Sequence, residues 1–167
     1  MYRKIELERD ITKDYINSLE SVVLSLNLNG EIVFINKKGL ALVEYNESEC
    51  IGKNVFQLLI SEKDRERMEQ CFNGTINREV ILAELTNVNL ITKSGKERIL
   101  DIKYQKTKDK KGNLTGVLCV GEDITDKLSI KRLAEKMLYV VEQSPNTVVI
   151  TDTDGVIEYV NKRFCEL

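Results

Sequence analysis

"VVLSLNLNGEIVFINKKGLAL", residues 22–42, holds two apolar runs parted by Asn29-Gly30, and the fold turns on how it is read. Val22–Asn27 and Glu31–Asn36 read as two strands, and the Asn-Gly pair supplies the positive-φ residues of a hairpin turn. Asn36 then caps a helix from Lys37 to about Tyr45, because its side-chain oxygen can accept from the exposed amides of a first turn. The same pattern returns as "TVVITDTDGVIEYVNKRFCEL", residues 147–167. Gly155 and Gly30 set an offset of 125, on which Val23 meets Val148, Ile32 meets Ile157, Asn36 meets Asn161 and Lys37 meets Lys162. Counting by twos places Ile32 and Phe34 of one copy, and Ile157 and Tyr159 of the other, on an inward face, while Val33 is replaced by Glu158. So long an offset exceeds solenoid periods and predicts tandem domains. The second copy reaches only its first helix, so the expectation is a piece of a longer chain. Its open edges, with Ile157, Val160 and Phe164, are expected to pair with the first domain's sheet or with a neighbouring chain.

Between the two hairpins the pattern changes twice. Ser61 with Asp64 opens a helix over about 62–72, and Asn73-Gly74 is expected to stop it. Three antiparallel strands follow at about 85–93, 97–107 and 114–123, with turns near Ser94-Gly95 and Lys111-Gly112. Leu100, Ile102 and Tyr104 share one face of the middle strand, and Asp101, Lys103 and Gln105 share the wet one. Amphipathic helices flank this unit. Leu7, Ile11, Tyr15 and Leu19 recur at four-residue steps before it; Ile130, Leu133, Met137 and Val140 recur at steps of three and four after it. The latter is coiled-coil spacing held for under two heptads. The divisions expected are an N-terminal helix at 1–19, an α+β domain at 20–125, a connecting helix at 126–143 and a second domain's start at 144–167.

Composition removes whole classes of function. Histidine is absent, which excludes histidine acid–base catalysis, histidine-ligated metal or haem, and a phosphoaccepting histidine within these residues. A net charge of −2 gives no global attraction to nucleic acid or anionic lipid. No apolar run approaches the roughly 20 residues of a membrane span, so no membrane contact is expected within these residues. Cys50, Cys71, Cys119 and Cys165 form no close pair, and scattered thiols point to a reducing, cytoplasmic setting. Lys103, Lys106, Lys108, Lys110 and Lys111 crowd one hairpin, but Asp109 interrupts them and only Tyr104 offers an aromatic platform. They read as a solvated turn, and no nucleic-acid partner is expected.

The order strand–strand–helices–three strands, in tandem copies joined by a helix, resembles the PAS sensory domain. "LNGEIVFINKKGLALVEYNESECIGKNVFQLL" carries the resemblance at one end and "GEDITDKL" at the other, where Asp123-Ile124-Thr125 matches the family's Asp-Ile-Thr ending. "SPNTVVITDTDGVIEYVNKRF" looks like the start of a second such domain. The resemblance implies a five-stranded antiparallel sheet with short helices on one face, enclosing a small pocket. It implies a non-catalytic sensory and dimerisation module, a homodimer through the flanking helices, and a downstream output domain, most typically of a two-component sensor histidine kinase. A diguanylate cyclase, a transcription regulator or a purely structural spacer with a collapsed pocket are the alternatives. Flavin photosensors of the LOV type carry a reactive Cys where "GKNVFQLL" has Val55, and a Gln where Gly121 stands. Neither a photoactive flavin nor haem is therefore expected, and a small apolar ligand or none remains.

Ile32, Phe34, Val55, Phe56, Leu90, Leu100, Ile102, Tyr104, Cys119 and Gly121 are the candidate pocket residues. A close-packed core without a vacancy is the plainer account of the same apolar faces. Tyr104 stands out, since a buried phenol needs a partner. Asp123 and Thr125 are candidates for coupling the sheet to the next helix; capping that helix is their minimum role.

Overall fold

A computed structural model describes the backbone of residues 2–77 and 87–166 and the side chains of 10–76 and 87–166. The chain divides into two compact units, one up to Thr125 and one from Asp126. In the first, α1 (Tyr2–Asn17) leads into β1 (Val22–Asn27) and β2 (Ile32–Ile35). Gly30, at φ 75°, makes the turn between them, and a Cβ there would meet the Phe56 ring at 2.6 Å. Four helices follow: α2 (Lys37–Val43), α3 (Glu47–Cys50), α4 (Val55–Leu59) and α5 (Glu62–Asn77). Then come β3 (Asn87–Ile91), β4 (Glu97–Lys108) and β5 (Leu114–Asp123). The five strands form one antiparallel sheet in the order β2-β1-β5-β4-β3. This is the α+β arrangement expected from the sequence.

One face of the sheet packs on the helices. Val22, Leu26, Val88, Leu90, Leu100, Val117 and Cys119 from the strands meet Val43, Val55, Phe56, Leu59, Met68 and Phe72 from the helices in a single buried cluster. Phe56 and Phe72 meet edge to face at 5.3 Å, a favoured aromatic geometry. Helix α2 ends at Glu44, which adopts a left-handed φ of 63°. Glycine is usual there. Glu44 instead ties α2 to the β3–β4 turn, accepting from the Thr92 hydroxyl at 2.9 Å, Ser94 N at 3.1 Å and Lys96 Nζ at 3.3 Å.

Two expectations are corrected here. Helix α5 does not stop at Asn73-Gly74 but runs to Asn77, because Phe72 before that pair and Thr75 beyond it are both buried and hold the turn in place. Along β2, Leu24 pairs with Ile35, Ser25 with Phe34 and Leu26 with Ile32, so Val33 is the extra residue of a bulge. The bulge flips the count by twos. Ile32 and Ile35 face inward, Val33 is exposed, and Phe34 lies opposite Ser25 on the other face. The first two residues of the strand expected from 85 lie outside the described residues, as does the side chain of Leu7.

In the second unit, α6 (Thr125–Glu142) precedes β6 (Val149–Thr151), β7 (Ile157–Val160) and α7 (Lys162–Cys165). The bulge recurs: Ile150 pairs with Tyr159 and Thr151 with Ile157, leaving Glu158 as the extra residue and turning Tyr159, like Phe34, away from Ile157. β6 and β7 form a two-stranded sheet of their own. In the first unit, isolated bridges link Glu31 with Asn54 and Ile60 with Leu90.

Candidate functional site

Three inward rows of the sheet converge under α4 and α5. Leu24 and Leu26 lie on β1, Cys119 and Gly121 on β5, and Leu100, Ile102 and Tyr104 on β4. With Ile35, Val43, Val55, Phe56, Leu59, Met68, Cys71, Phe72 and Leu90 they surround a cavity of about 60 Å³. Gly121 keeps its wall thin: a Cβ there would lie 3.0 Å from Ile102 Cγ1 and 3.1 Å from the Asp101 carbonyl oxygen.

Of the ten pocket candidates, eight border this cavity: Val55, Phe56, Leu90, Leu100, Ile102, Tyr104, Cys119 and Gly121. Ile32 and Phe34 do not, which corrects the expectation for both. Ile32 is buried, but its N–H and carbonyl serve Lys53 and Gly52 at 2.9 and 2.8 Å, which fixes it in the layer beneath α3 and α4. Phe34 is turned to the opposite face by the bulge, and Ile35 takes the place at the cavity. Residues missed from the sequence include Leu24 and Leu26 on β1 and the Met68, Cys71, Phe72 set on α5. The three-and-four spacing of the α5 set was a usable signal.

The cavity's chemistry is neutral. Burial pushes the Cys119 thiol up to about 12. Burial first, and then the nearby Cys119 and Cys71 thiols, raise the Tyr104 phenol above its ordinary value. A thiol held protonated at physiological pH is a small hydrophobe rather than a nucleophile. Among the described residues of the wall, Tyr104 alone carries a strong hydrogen-bonding group in its side chain. Among the described residues, no cluster of three or more His, Cys, Asp or Glu side chains could hold a metal ion. None of the described helices is long and apolar enough to cross a membrane.

At the end of β5, the middle strand of the same sheet, the chain passes into α6. Asp123 Oδ1 accepts from Thr125 N at 2.9 Å and from Thr125 Oγ1 at 2.5 Å. Thr125 Oγ1 in turn accepts from Ile99 N at 2.9 Å, and Ile124 N donates to the Ile99 carbonyl at 2.9 Å. Both backbone groups of Ile99, in β4, are thus spent on Ile124 and Thr125, where β5 passes into the helix. Arg98 approaches Asp123 Oδ2 at 3.8 Å, and its Nε is buried with no hydrogen-bond partner among the described residues. Through the Thr125 hydroxyl, β4 is hydrogen-bonded to the start of α6, one residue along from the cavity-lining Leu100.

Asn36, wholly buried, spends its entire amide. Its oxygen accepts from Val23 N at 3.0 Å and, as the cap of α2, from Gly39 N at 2.9 Å. Its nitrogen donates to the carbonyls of Ser21 at 2.9 Å and Ile16 at 3.2 Å.

Comparison with known proteins agrees with this geometry. A family model described as the PAS fold matches residues 13–124, more than half of the chain, and a second described as a PAS domain matches residues 135–167. No curated protein sequence matches the chain. Among solved structures, the PAS domain of an HTR-like protein from Haloarcula marismortui is 14% identical, with a TM-score of 0.59 over 74% of this chain and 97% of that one. The PAS domain of a protein from Colwellia psychrerythraea is 19% identical, with a TM-score of 0.56 over 73% and 98%. The PAS domain of the Cronobacter turicensis quorum-sensing receptor RpfR, in complex with C12:0, is 23% identical, with a TM-score of 0.53 over 65% and 97%. At these identities the likeness is one of fold.

Proposed function

Because the chain belongs to the PAS family, whose domains are generally non-catalytic sensory modules, we propose that it relays packing changes in its sheet to the helix that follows. The state of the cavity-lined sheet sets the hydrogen bonds at Asp123 and Thr125, and these set the start of α6. The observation that carries this reading is Ile99, whose two backbone groups bond to Ile124 and Thr125 while the next residue along β4 lines the cavity. The parent setting we favour is a sensor histidine kinase, on the strength of the tandem units joined by a helix. A parallel homodimer through the flanking helices fits the exposed Ile130, Leu133, Met137 and Val140 on α6.

Ordinary ligand pockets start near about 300 Å³. A cavity of about 60 Å³ therefore takes a small apolar molecule, with Tyr104 as its hydrogen-bonding neighbour, or none. That size is also the observation behind a second reading, a dimerisation spacer whose pocket is collapsed. Xenon separates the two, since it enters small apolar cavities. NMR of the chain under xenon pressure should shift the amides beside Leu100 and Cys119 and, on the relay reading, those of Thr125–Ser129 as well. Shifts confined to the cavity wall would favour the spacer.

A further inference from the structure

The two hairpins share a hydrogen-bond pattern that helix capping does not explain. Asn161 accepts from Val148 N at 2.9 Å and Phe164 N at 3.2 Å, and donates to the carbonyls of Asn146 at 2.9 Å and Val141 at 3.1 Å. Each partner lies 125 residues beyond the partner of Asn36: Val23 and Val148, Gly39 and Phe164, Ser21 and Asn146, Ile16 and Val141. Both asparagines have 0% exposure, although Asn161 sits in a unit whose strands are largely exposed.

Capping needs only the oxygen of such a side chain, and Ser, Thr or Asp serve as well. The amide nitrogen serves something else. Ile16 and Val141 lie in the last turns of α1 and α6, where helical carbonyls have no partner within the helix. The side chains next to them repeat the tie. Asn17 Oδ1 accepts from Lys37 N at 3.0 Å, and Glu142 Oε2 accepts from Lys162 N at 3.1 Å. In the second unit Glu142 also accepts from the Tyr159 hydroxyl, a bond the first unit lacks because Phe34 stands there.

We propose that Asn36 and Asn161 are grips that fix the end of an incoming helix to the hairpin of the module it enters. A module of this kind is set by the helix before it as well as setting the helix after it. For α6 the consequence is specific. In the second unit the last turn of α6 is the end that Asn161 holds, through the Val141 carbonyl. This extends the relay reading to the entry side, but it rests on a separate set of bonds.

The test is amide exchange measured by NMR on the whole chain carrying Asn36→Ser. Serine keeps an oxygen for Gly39 N and has no amide to donate to Ile16. Ser18 and Leu19, whose amides bond to Asp14 and Ile16, should exchange about fivefold faster or more, the ratio that one ordinary hydrogen bond sets, while Gly39 stays within twofold of the parent chain. Unchanged exchange at Ser18 and Leu19, or equal loosening at Gly39, would overturn the grip. Should that variant unfold, Asn161→Ser puts the same question to Gln143 and Ser144 against Phe164, with the first core untouched. The Ile99 amide, read in the same spectra, reports on the exit side independently, so failure of the grip leaves the relay reading standing.

Discussion

Replacing Thr125 by valine removes one hydroxyl and keeps the β-branched shape. That hydroxyl donates to Asp123 Oδ1 and accepts from Ile99 N at 2.9 Å. Losing a hydrogen bond to a carboxylate costs about 1–1.5 kcal/mol at a half-buried site. Leaving the Ile99 N–H without its acceptor costs about 1–1.5 kcal/mol more, the lower half of the usual range because water can reach a half-buried strand end. The expected destabilisation is about 2–3 kcal/mol, or a fall in Tm of about 5–10 °C for a chain of this size. Urea and thermal melts followed by circular dichroism measure it, and amide exchange at Ile99 locates it. Thr125→Ser, which keeps the hydroxyl, should recover most of the loss. A valine variant within 0.5 kcal/mol of the parent (roughly the scatter of neutral surface changes), with Ile99 still protected, would refute the assignment of this hydroxyl as the tie between β4 and α6.

Three further outcomes follow from the fold. Glu44 is held at about 2 by its bonds from Ser94 and Thr92, below its ordinary value, so the stability it contributes is present above the unfolded value and is lost as pH falls toward 2. Urea midpoints from pH 6 to pH 2 should drop less steeply in Glu44→Gln than in the parent chain. A Cβ at Gly116 would lie 2.0 Å from the Leu26 carbonyl oxygen, so Gly116→Ala must part β1 from β5, and circular dichroism should show an unfolded or strongly destabilised chain. Ile35→Ala should cost about 2–4 kcal/mol in urea melts, as a buried aliphatic truncation does, whereas the exposed bulge residue in Val33→Ala should cost under about 0.5 kcal/mol.

Much of this was written in the sequence, and the parts that were not have physical causes. The Asn-Gly turn, the capping asparagine and the alternation of Leu100, Ile102 and Tyr104 are local signals, and the local structure follows them. The bulge at Val33 is different. One extra residue reverses every later inward–outward assignment in so short a strand, which is why Phe34 was expected where Ile35 stands. A clue was present in the exchange of Val33 for Glu158, because a position that accepts both is a solvent position. Helix α5 passes its apparent stop at Gly74 because burial of Phe72 and Thr75 outweighs the weak preference of Asn-Gly to end a helix. The spacing of Met68, Cys71 and Phe72 marked an inward face of α5, but the cavity that this face and β1 border could not be read off. Apolar periodicity predicts which residues turn inward, but whether they meet or leave a gap depends on packing at the scale of a methyl group.

A double-mutant cycle between Ile102→Val in the cavity wall and Thr125→Val at the start of α6 tests the relay most directly. If cavity packing and the helix joint act as one unit, the two losses of stability should depart from additivity by about 0.5 kcal/mol or more. Losses that add to within about 0.3 kcal/mol, the behaviour of independent sites, would mean that the sheet does not report its packing to the helix.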